Sequence, residues 1–453
     1  MTSSTRPHLS GIDPERWEAV AHPPQGRLFA RRAAREERRF AAACRRGGII
    51  LAAQPQAVAG TADSGPSLPA LSGPQPSVAV LFDELFYRVA EAGWTGLAES
   101  YLAGEWITDD LAGVVARLID TGYRPRGCVR PARLRPVAAP WRGGEIPPAA
   151  AMLTGGGLGP VCGVFASGVP TTVRETVASH VPGAGRRGQP ASHFVDVTRL
   201  SAPQGAELSD YRDAISRAAG MLCAAAGVGR GTDVIDWPAA TPAVAEAAAA
   251  TGASVDAVTA DGQQAEWLAG ALDGVPGAGR IRVDETGDVL PRNRGRYRAV
   301  VSVERLELVG GTQRISFARA IDRLTDTGGR AGLQTVVATR KLPPAAVDSL
   351  AVLRSYIWPG FTLAEIDKLH ALFDTATGLS CTKVVHLRDH YAQSLAFQQA
   401  EFTAGGRQAA AGGIDAVMRR LIVWQLSLKQ ALASLGLIEA VQMTLQRRRT
   451  RHS

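Results

Sequence analysis

The sequence predicts an α/β protein: a doubly wound sheet preceded by a smaller N-terminal domain and carrying further helices toward the C-terminus. Three observations lead there. From about His193 onward, short apolar runs such as Asp233–Asp236, Ser254–Thr259 and Tyr297–Val303 alternate with stretches of helical periodicity, as strand–helix–strand units of a parallel sheet do. At 453 residues, 45% of them hydrophobic, the chain is long enough to bury two or three cores. Between 126 and 190, proline, glycine and arginine dominate, a composition that disfavours a packed core and reads as a long irregular connection, with some short ordered pieces, between a domain over 1–125 and one over 191–453.

Taken in order, residues 16–46 carry helical charge and alanine patterning, and Ile49–Ala53 reads as a strand. The Pro/Gly/Ser-rich run Gln54–Ser77 reads as loop, and Val78–Asp120 alternates a short apolar run with helical patterns. In the second half Tyr211–Ala226 reads as helix, Asp233–Asp236 as the first strand, Pro242–Thr251 as an alanine-rich helix and Ser254–Thr259 as the second strand. Gln263–Leu272 follows as helix, Ile281–Val283 and Tyr297–Val303 as strands, Ile315–Leu324 as helix and Arg330–Ala338 as strand. Leu421, Trp424, Leu428, Ala431, Leu435 and Ile438 share one helical stripe, so a closing helix is expected over Leu421–Leu445.

The formal net charge is +8, and only four of the fifty basic residues are lysine (Lys341, Lys368, Lys383 and Lys429), a bias of the kind a GC-rich genome imposes. The charge is uneven. Arg31, Arg32, Arg35, Arg38, Arg39, Arg45 and Arg46 cluster near one end, and Arg447, Arg448, Arg449 and Arg451 near the other. Such clusters suit anionic phospholipid headgroups at about 1 kcal/mol per side chain, or serve as solvated faces interleaved with Glu36 and Glu37. No aromatic interleaving accompanies them, so nucleic acid is not an expected partner. Five scattered cysteines show no metal-ligand spacing, and no metal is expected. With no apolar stretch of about 18 residues, the chain reads as cytoplasmic, with any membrane contact peripheral on the inner face.

Four segments carry chemistry. Gly96–Trp106, GLAESYLAGEW, resembles the GxGESYMDGxW signature of the cyclopropane-fatty-acyl-phospholipid synthases, the family that includes the mycolic acid cyclopropane synthases. Ser302–Gly311, SVERLELVGG, resembles that family's SVEMxEHVG segment; Tyr356–Gly360, YIWPG, its YIFPGG; and Leu387–Leu395, LRDHYAQSL, its hYxxTL segment. Order and approximate spacing agree from about residue 75 to residue 445, apart from a gap over roughly 126–190, so the chain is identified as a divergent, actinobacterial-type member. The resemblance implies a class I methyltransferase (Rossmann-like) sheet. It also implies methyl transfer from S-adenosylmethionine to the cis double bond of a phospholipid acyl chain, followed by proton loss to close a cyclopropane, or by a route to a methyl or methylene branch. Such chemistry needs a loop that holds the donor and a base beside a dry apolar tunnel.

In the family the base is a bound bicarbonate gripped by a glutamate, a histidine or its replacement, a tyrosine and backbone groups. Glu307 matches that glutamate and Tyr391 that tyrosine, while Gln334 falls at the histidine. The family's YSCAxF segment, whose cysteine backbone lines the ion site, would fall near Ala191–Val197, so Cys162 and His193 are taken as structural. On the donor side, Thr259 and Gln264 in VTADGQQ match VTxSxxQ, and Asp288 matches the acidic residue of GDYR. Asp236 ends the first strand, and Asp256 is a candidate ribose partner.

The loop after Asp236 departs from the pattern. Val234–Val244 reads VIDWPAATPAV, without a glycine, where a cofactor loop needs bare backbone and free N–H groups. Trp237, Pro238 and Pro242 are expected to occlude the donor cavity, and the family's HYDxSNxFF segment has no counterpart between Arg126 and His193. The expectation is therefore a lipid methyltransferase homologue with impaired or lost S-adenosylmethionine binding, acting on unsaturated phospholipid acyl chains at an anionic membrane surface. The alternative is a pseudoenzyme that partners an active paralogue or a reductase, or serves as a lipid-binding scaffold.

Overall fold

The computed structural model describes residues 7–52, 75–127, 142, 162–185, 190–239, 241–259, 262–285 and 297–448. Most of the expected Gln54–Ser77 loop, Cys128 and Asp288 lie outside the described residues. Two compact units form, each assembled from separate stretches: 1–147 with 342–359 and 399–435, and 148–341 with 360–398 and 436–453.

The first unit contains α1 (Glu18–Ala21), α2 (Arg27–Gly47), β1 (Ile50–Ala52), β2 (Ser77–Val80), α3 (Glu84–Ala92), α4 (Trp94–Ala103), β3 (Trp106–Ile107) and α5 (Leu111–Asp120). The GLAESYLAGEW motif is architecture here. A Cβ at Gly96 would lie 1.9 Å from the Arg88 carbonyl oxygen, so only glycine lets α4 approach α3 this closely. Gly104, at φ 76°, caps α4 in the left-handed region. Glu99 is fully buried and accepts a 2.7 Å hydrogen bond from the Tyr356 hydroxyl, with the Arg142 guanidinium 2.8 Å away. Two motifs far apart in sequence, GLAESYLAGEW and YIWPG, thus meet through one buried carboxyl. Desolvation raises its pKa, against the pull of Arg142 and the Tyr356 bond.

The second unit is built on a nine-stranded sheet of β4 (Thr171–Ala178), β5 (Ser192–Arg199), β6 (Asp233–Asp236), β7 (Ser254–Thr259), β8 (Ile281–Glu285), β9 (Tyr297–Val303), β10 (Thr325–Ala338), β11 (Leu379–His386) and β12 (Ile438–Arg447). Their spatial order is β4-β5-β11-β12-β10-β9-β6-β7-β8. From β11 to β8 this is the seven-stranded class I methyltransferase arrangement: β12 runs antiparallel to both neighbours and the other six strands are parallel. The helices are α6 (Tyr211–Ala225), α7 (Pro242–Ala250), α8 (Gly262–Leu272), α9 (Gly311–Leu324), α10 (Ile366–Ala376) and α11 (Arg388–Ala404). Consecutive residues Val234 and Ile235 belong to two different buried clusters, one with Leu222, Val244 and Leu268, the other with Phe317 and Phe373. Helices therefore cover both faces of the sheet, which explains near-continuous apolar strands rather than alternating ones.

Three expectations change. The closing helix stops early: Ala416–Ser434 is helical, Gly436 turns the chain at φ 63°, and β12 follows. β12 is buried along most of its length, so its apolar run continued the helical stripe without a break and disguised the strand. Second, the ordered pieces of 126–190 amount to more than short fragments of a connection, since they include the eight-residue edge strand β4 and the buried residues Cys162, Val164 and Phe165. The third concerns Trp237. Its indole is 1% exposed and packs among Ile235, Val258, Val300 and Leu306, stacked on Phe317 at a centroid distance of 5.1 Å. It fills the core rather than a ligand cavity.

Replacing Trp237 by alanine should therefore cost about 3–5 kcal/mol in denaturant unfolding, the range for emptying a large aromatic site. A loss under about 1 kcal/mol would mean that the indole is not part of the core.

Candidate functional site

The residues expected on the acceptor side converge where the strands of the second unit end. Gln334 lies in β10 opposite Val303, the last residue of β9; Glu307 follows β9; and Tyr391 lies in the first turns of α11, after β11. All three are buried. Gln334 is oriented without ambiguity: Gln442 in β12 donates from Nε2 to the Ala218 carbonyl at 2.8 Å and to Gln334 Oε1 at 3.0 Å, so Gln334 Nε2 must face the other way. There it donates 3.0 Å to Glu304 Oε1, with the Cys162 carbonyl at 3.4 Å.

Glu304 escaped the sequence analysis although it stands in the quoted SVERLE string. It is 4% exposed and is the only described non-glycine residue in the left-handed region, at φ 50°. Backbone strain of about 1–3 kcal/mol persists only where the surroundings impose it. Here they do: the Glu304 N–H donates to the Gln334 carbonyl at 2.7 Å, and Glu304 Oε1 accepts both Gln334 Nε2–H and the Cys162 backbone N–H, the latter at 2.9 Å.

Cys162 opens a segment whose successive backbone donors are all bonded. After Cys162, Gly163 donates to Ser394 Oγ at 2.9 Å, Val164 to the Ala214 carbonyl at 2.8 Å and Phe165 to His390 Nδ1 at 3.1 Å. His390 accepts at Nδ1 and donates from Nε2 to the Ser201 carbonyl at 3.1 Å, which fixes the neutral tautomer; burial, first of all, lowers its pKa. A side chain at Gly163 would strike Ala214 at 2.8 Å. Cys162-Gly163-Val164-Phe165 repeats the cysteine, small residue and phenylalanine of the YSCAxF pattern, and that was the signal overlooked. Ala191–Val197 instead falls largely in β5, paired with β4 and β11.

Glu307 Oε2 accepts a 2.7 Å hydrogen bond from Thr335 Oγ1 in β10. Tyr391 is fully buried, and its hydroxyl has no hydrogen-bond partner among the described residues. Burial, then the fields of Glu304 and Glu307, hold that hydroxyl well above the usual tyrosine range, so it is a proton-bearing group close to both carboxylates.

The donor-side residues gather round the loop after β6. Asp236 ends β6 and Thr259 ends β7 next to it. Gln264 of α8 reaches over to donate 3.1 Å to the Ala239 carbonyl. Three of the loop's donors are bonded within the fold: Trp237 N–H goes to Val301 O at 2.9 Å, Ala239 N–H to Val258 O at 2.8 Å and Ala243 N–H to the capping Thr241 Oγ1 at 3.2 Å, while Pro238 and Pro242 have none. Asp256, the candidate ribose partner, is engaged within the sheet. It lies within β7, where the Tyr297 hydroxyl donates 2.6 Å to it and Arg282 pairs with it.

A class I methyltransferase sheet with buried Glu307 after β9, Gln334 within β10 and Tyr391 after β11 defines the protein class. Residues 210–437 match the profile of the mycolic acid cyclopropane synthetase family, and the chain belongs to that family. It is similar to tuberculostearic acid methyltransferase UfaA1 of Mycobacterium tuberculosis, 27% identical over 445 residues that span 97% of each chain. Among solved structures it is similar to the cyclopropane synthase MmaA2 from Mycobacterium tuberculosis (18% identity, TM-score 0.47, 52% of this chain and 84% of that one). Another is the mycolic acid cyclopropane synthase CmaA1 complexed with SAH and CTAB (21% identity, TM-score 0.46, covering 52% and 85%).

Asp236 provides a check by pH. Both its carboxylate oxygens are buried without a hydrogen-bond partner among the described residues, and desolvation raises its pKa from 3.8 to about 8. The folded state therefore keeps a proton that the unfolded chain has released. This group's contribution is favourable below about pH 4 and is lost as pH rises from about 4 toward about 8. Asp236→Asn should raise the melting temperature at pH 8 by several degrees and flatten the decline between pH 5 and 8, to be read from melting curves across that range. An unchanged slope would show that the carboxyl ionises freely.

Proposed function

We propose that the chain is a lipid-directed member of this family, with unsaturated phospholipid acyl chains as acceptors and with impaired S-adenosylmethionine binding. The observation that carries the acceptor half is the buried cluster of Glu304, Glu307, Gln334 and Tyr391, drawn from separated segments. Buried polar groups of this kind cost stability unless each is satisfied, and they persist where chemistry needs them. The likeness over nearly the whole length of a tuberculostearic acid methyltransferase supports the same reading. The impaired donor half rests on the loop: its prolines lack donors, and the other N–H groups bonded within the fold are not available to a ligand.

A second reading, a non-catalytic partner of an active paralogue or of a reductase, is favoured by Asp236. An unpaired acid at the end of β6, held neutral by burial, does not suit a site that must grip a cationic donor. The membrane side of the proposal rests on a cleft of about 460 Å³ in the first unit, lined by Arg32, Arg35 and Arg39 of α2, Arg126 and Glu36. Four guanidiniums against one carboxylate suit the phosphate of an anionic phospholipid. Among the described residues no helix is long and apolar enough to cross a membrane.

Calorimetric titration should give a dissociation constant for S-adenosylmethionine weaker than about 1 mM, less than about 4 kcal/mol of binding. Restoring bare backbone with Pro238→Gly, Ala240→Gly and Pro242→Gly together should tighten it about tenfold or more. Micromolar binding by the natural chain would refute impairment. At saturating donor, methyl label should enter unsaturated phospholipid in vesicles; none entering would leave only the non-catalytic reading.

For the cleft, Arg32→Ala, Arg35→Ala and Arg126→Ala combined should weaken co-sedimentation with phosphatidylglycerol vesicles at least about tenfold, while phosphatidylcholine vesicles bind neither form. Equal binding by both forms would dissociate the cleft from the membrane.

A further inference from the structure

The family resemblance assigns the acceptor site a bound bicarbonate, held by a cysteine's backbone N–H, the residue at Gln334, a glutamate and a tyrosine. In this chain that anion does not fit. The Cys162 N–H and the Gln334 Nε2–H, two donors that would grip it, are both directed at Glu304 Oε1, at 2.9 and 3.0 Å. Gln334 cannot turn its amide away, because Gln442 holds its oxygen. Nor is there charge to spare. Glu304 and Glu307 are both about 4% exposed and both close enough to act on Tyr391, so a third anion would enter beside two buried carboxyl groups. Arg305 and Arg314 are both partly buried within the field of Glu307, and Arg314 is further tied to the Leu306, Val309 and Thr362 carbonyls.

We propose that the Glu304 carboxylate is the resident anion of this site, occupying the seat that the resemblance gives to bicarbonate, so that the chain neither binds nor needs an external anion there. The strained φ of 50° is what directs the side chain inward from the end of β9, and the paired donors of Cys162 and Gln334 hold it in place. Where the proposed methyl transfer takes place, the group that accepts the proton from the methylated acyl chain is then Glu304. That clause alone rests on the function proposed above; the occupancy of the seat does not.

The test needs no methyl donor. Carbon-13 bicarbonate is titrated into the full-length natural chain and into Glu304→Gly, with melting temperatures taken in bicarbonate and, as a second small carboxylate, formate, each against chloride at equal ionic strength. Glycine accepts the positive φ, so the variant removes the side chain without adding strain. The natural chain should bind no bicarbonate and show no anion-specific shift; the variant should bind it and gain roughly 3–5 °C. Should Glu304→Gly fold only when bicarbonate or formate is present, that too supports the proposal. Bicarbonate binding by the natural chain, or equal responses from both proteins, would overturn it. If the variant does not fold under any condition, the natural chain decides alone, because binding there refutes the proposal and absence of binding sustains it. Loss of methyl transfer without either of these outcomes would count against the proposed function and not against Glu304.

Discussion

One chain of hydrogen bonds organises the second unit: Ala218 O to Gln442, Gln442 to Gln334, Gln334 to Glu304, and Glu304 to the Cys162 backbone. It crosses from α6 through β12 and β10 to the residue after β9, and ends on a segment that has no regular structure of its own. Each member is buried, so each would carry a full desolvation penalty if its neighbour were lost. The strand order follows the same requirement. With β12 inserted antiparallel between β10 and β11, Gln442 lies directly opposite Gln334.

Much of the sheet was legible from sequence. β6, β7 and β9 have the boundaries that their apolar runs give, since a strand covered on both faces shows itself as an unbroken apolar stretch closed by turn residues. The same property hid β12, whose apolar residues extend the stripe of the preceding helix. β4 was invisible for the opposite reason: an exposed edge strand has no buried face and so no hydrophobic signature. Within the site, Glu307, Gln334 and Tyr391 could be named from matched strings. Glu304 stands in the same matched string as Glu307, at its first glutamate, but its importance lies in a backbone angle and two donors that only the fold brings together. Cys162 lay in a stretch whose composition spoke for irregular connection, and that outweighed its match to a known pattern.

The two sides of the site are held in different ways. On the donor side, the Trp237 and Ala239 N–H groups are bonded within the fold and Trp237 anchors the loop to the core. On the acceptor side, the polar cluster is kept, with the Glu304 carboxyl taking the donors of Cys162 and Gln334. In both places buried polar groups are satisfied from within the fold. The N-terminal unit shows the same economy, where Glu99 and Tyr356 tie two motifs together through one buried hydrogen bond.

The most direct measurement is a crystal structure of the full-length protein grown in bicarbonate at high resolution. Glu304 Oε1 is expected within hydrogen-bonding distance of Cys162 N and Gln334 Nε2, with no separate anion between them. A planar anion bridging Cys162 N and Gln334, with the Glu304 side chain turned out of the seat, would contradict the assignment.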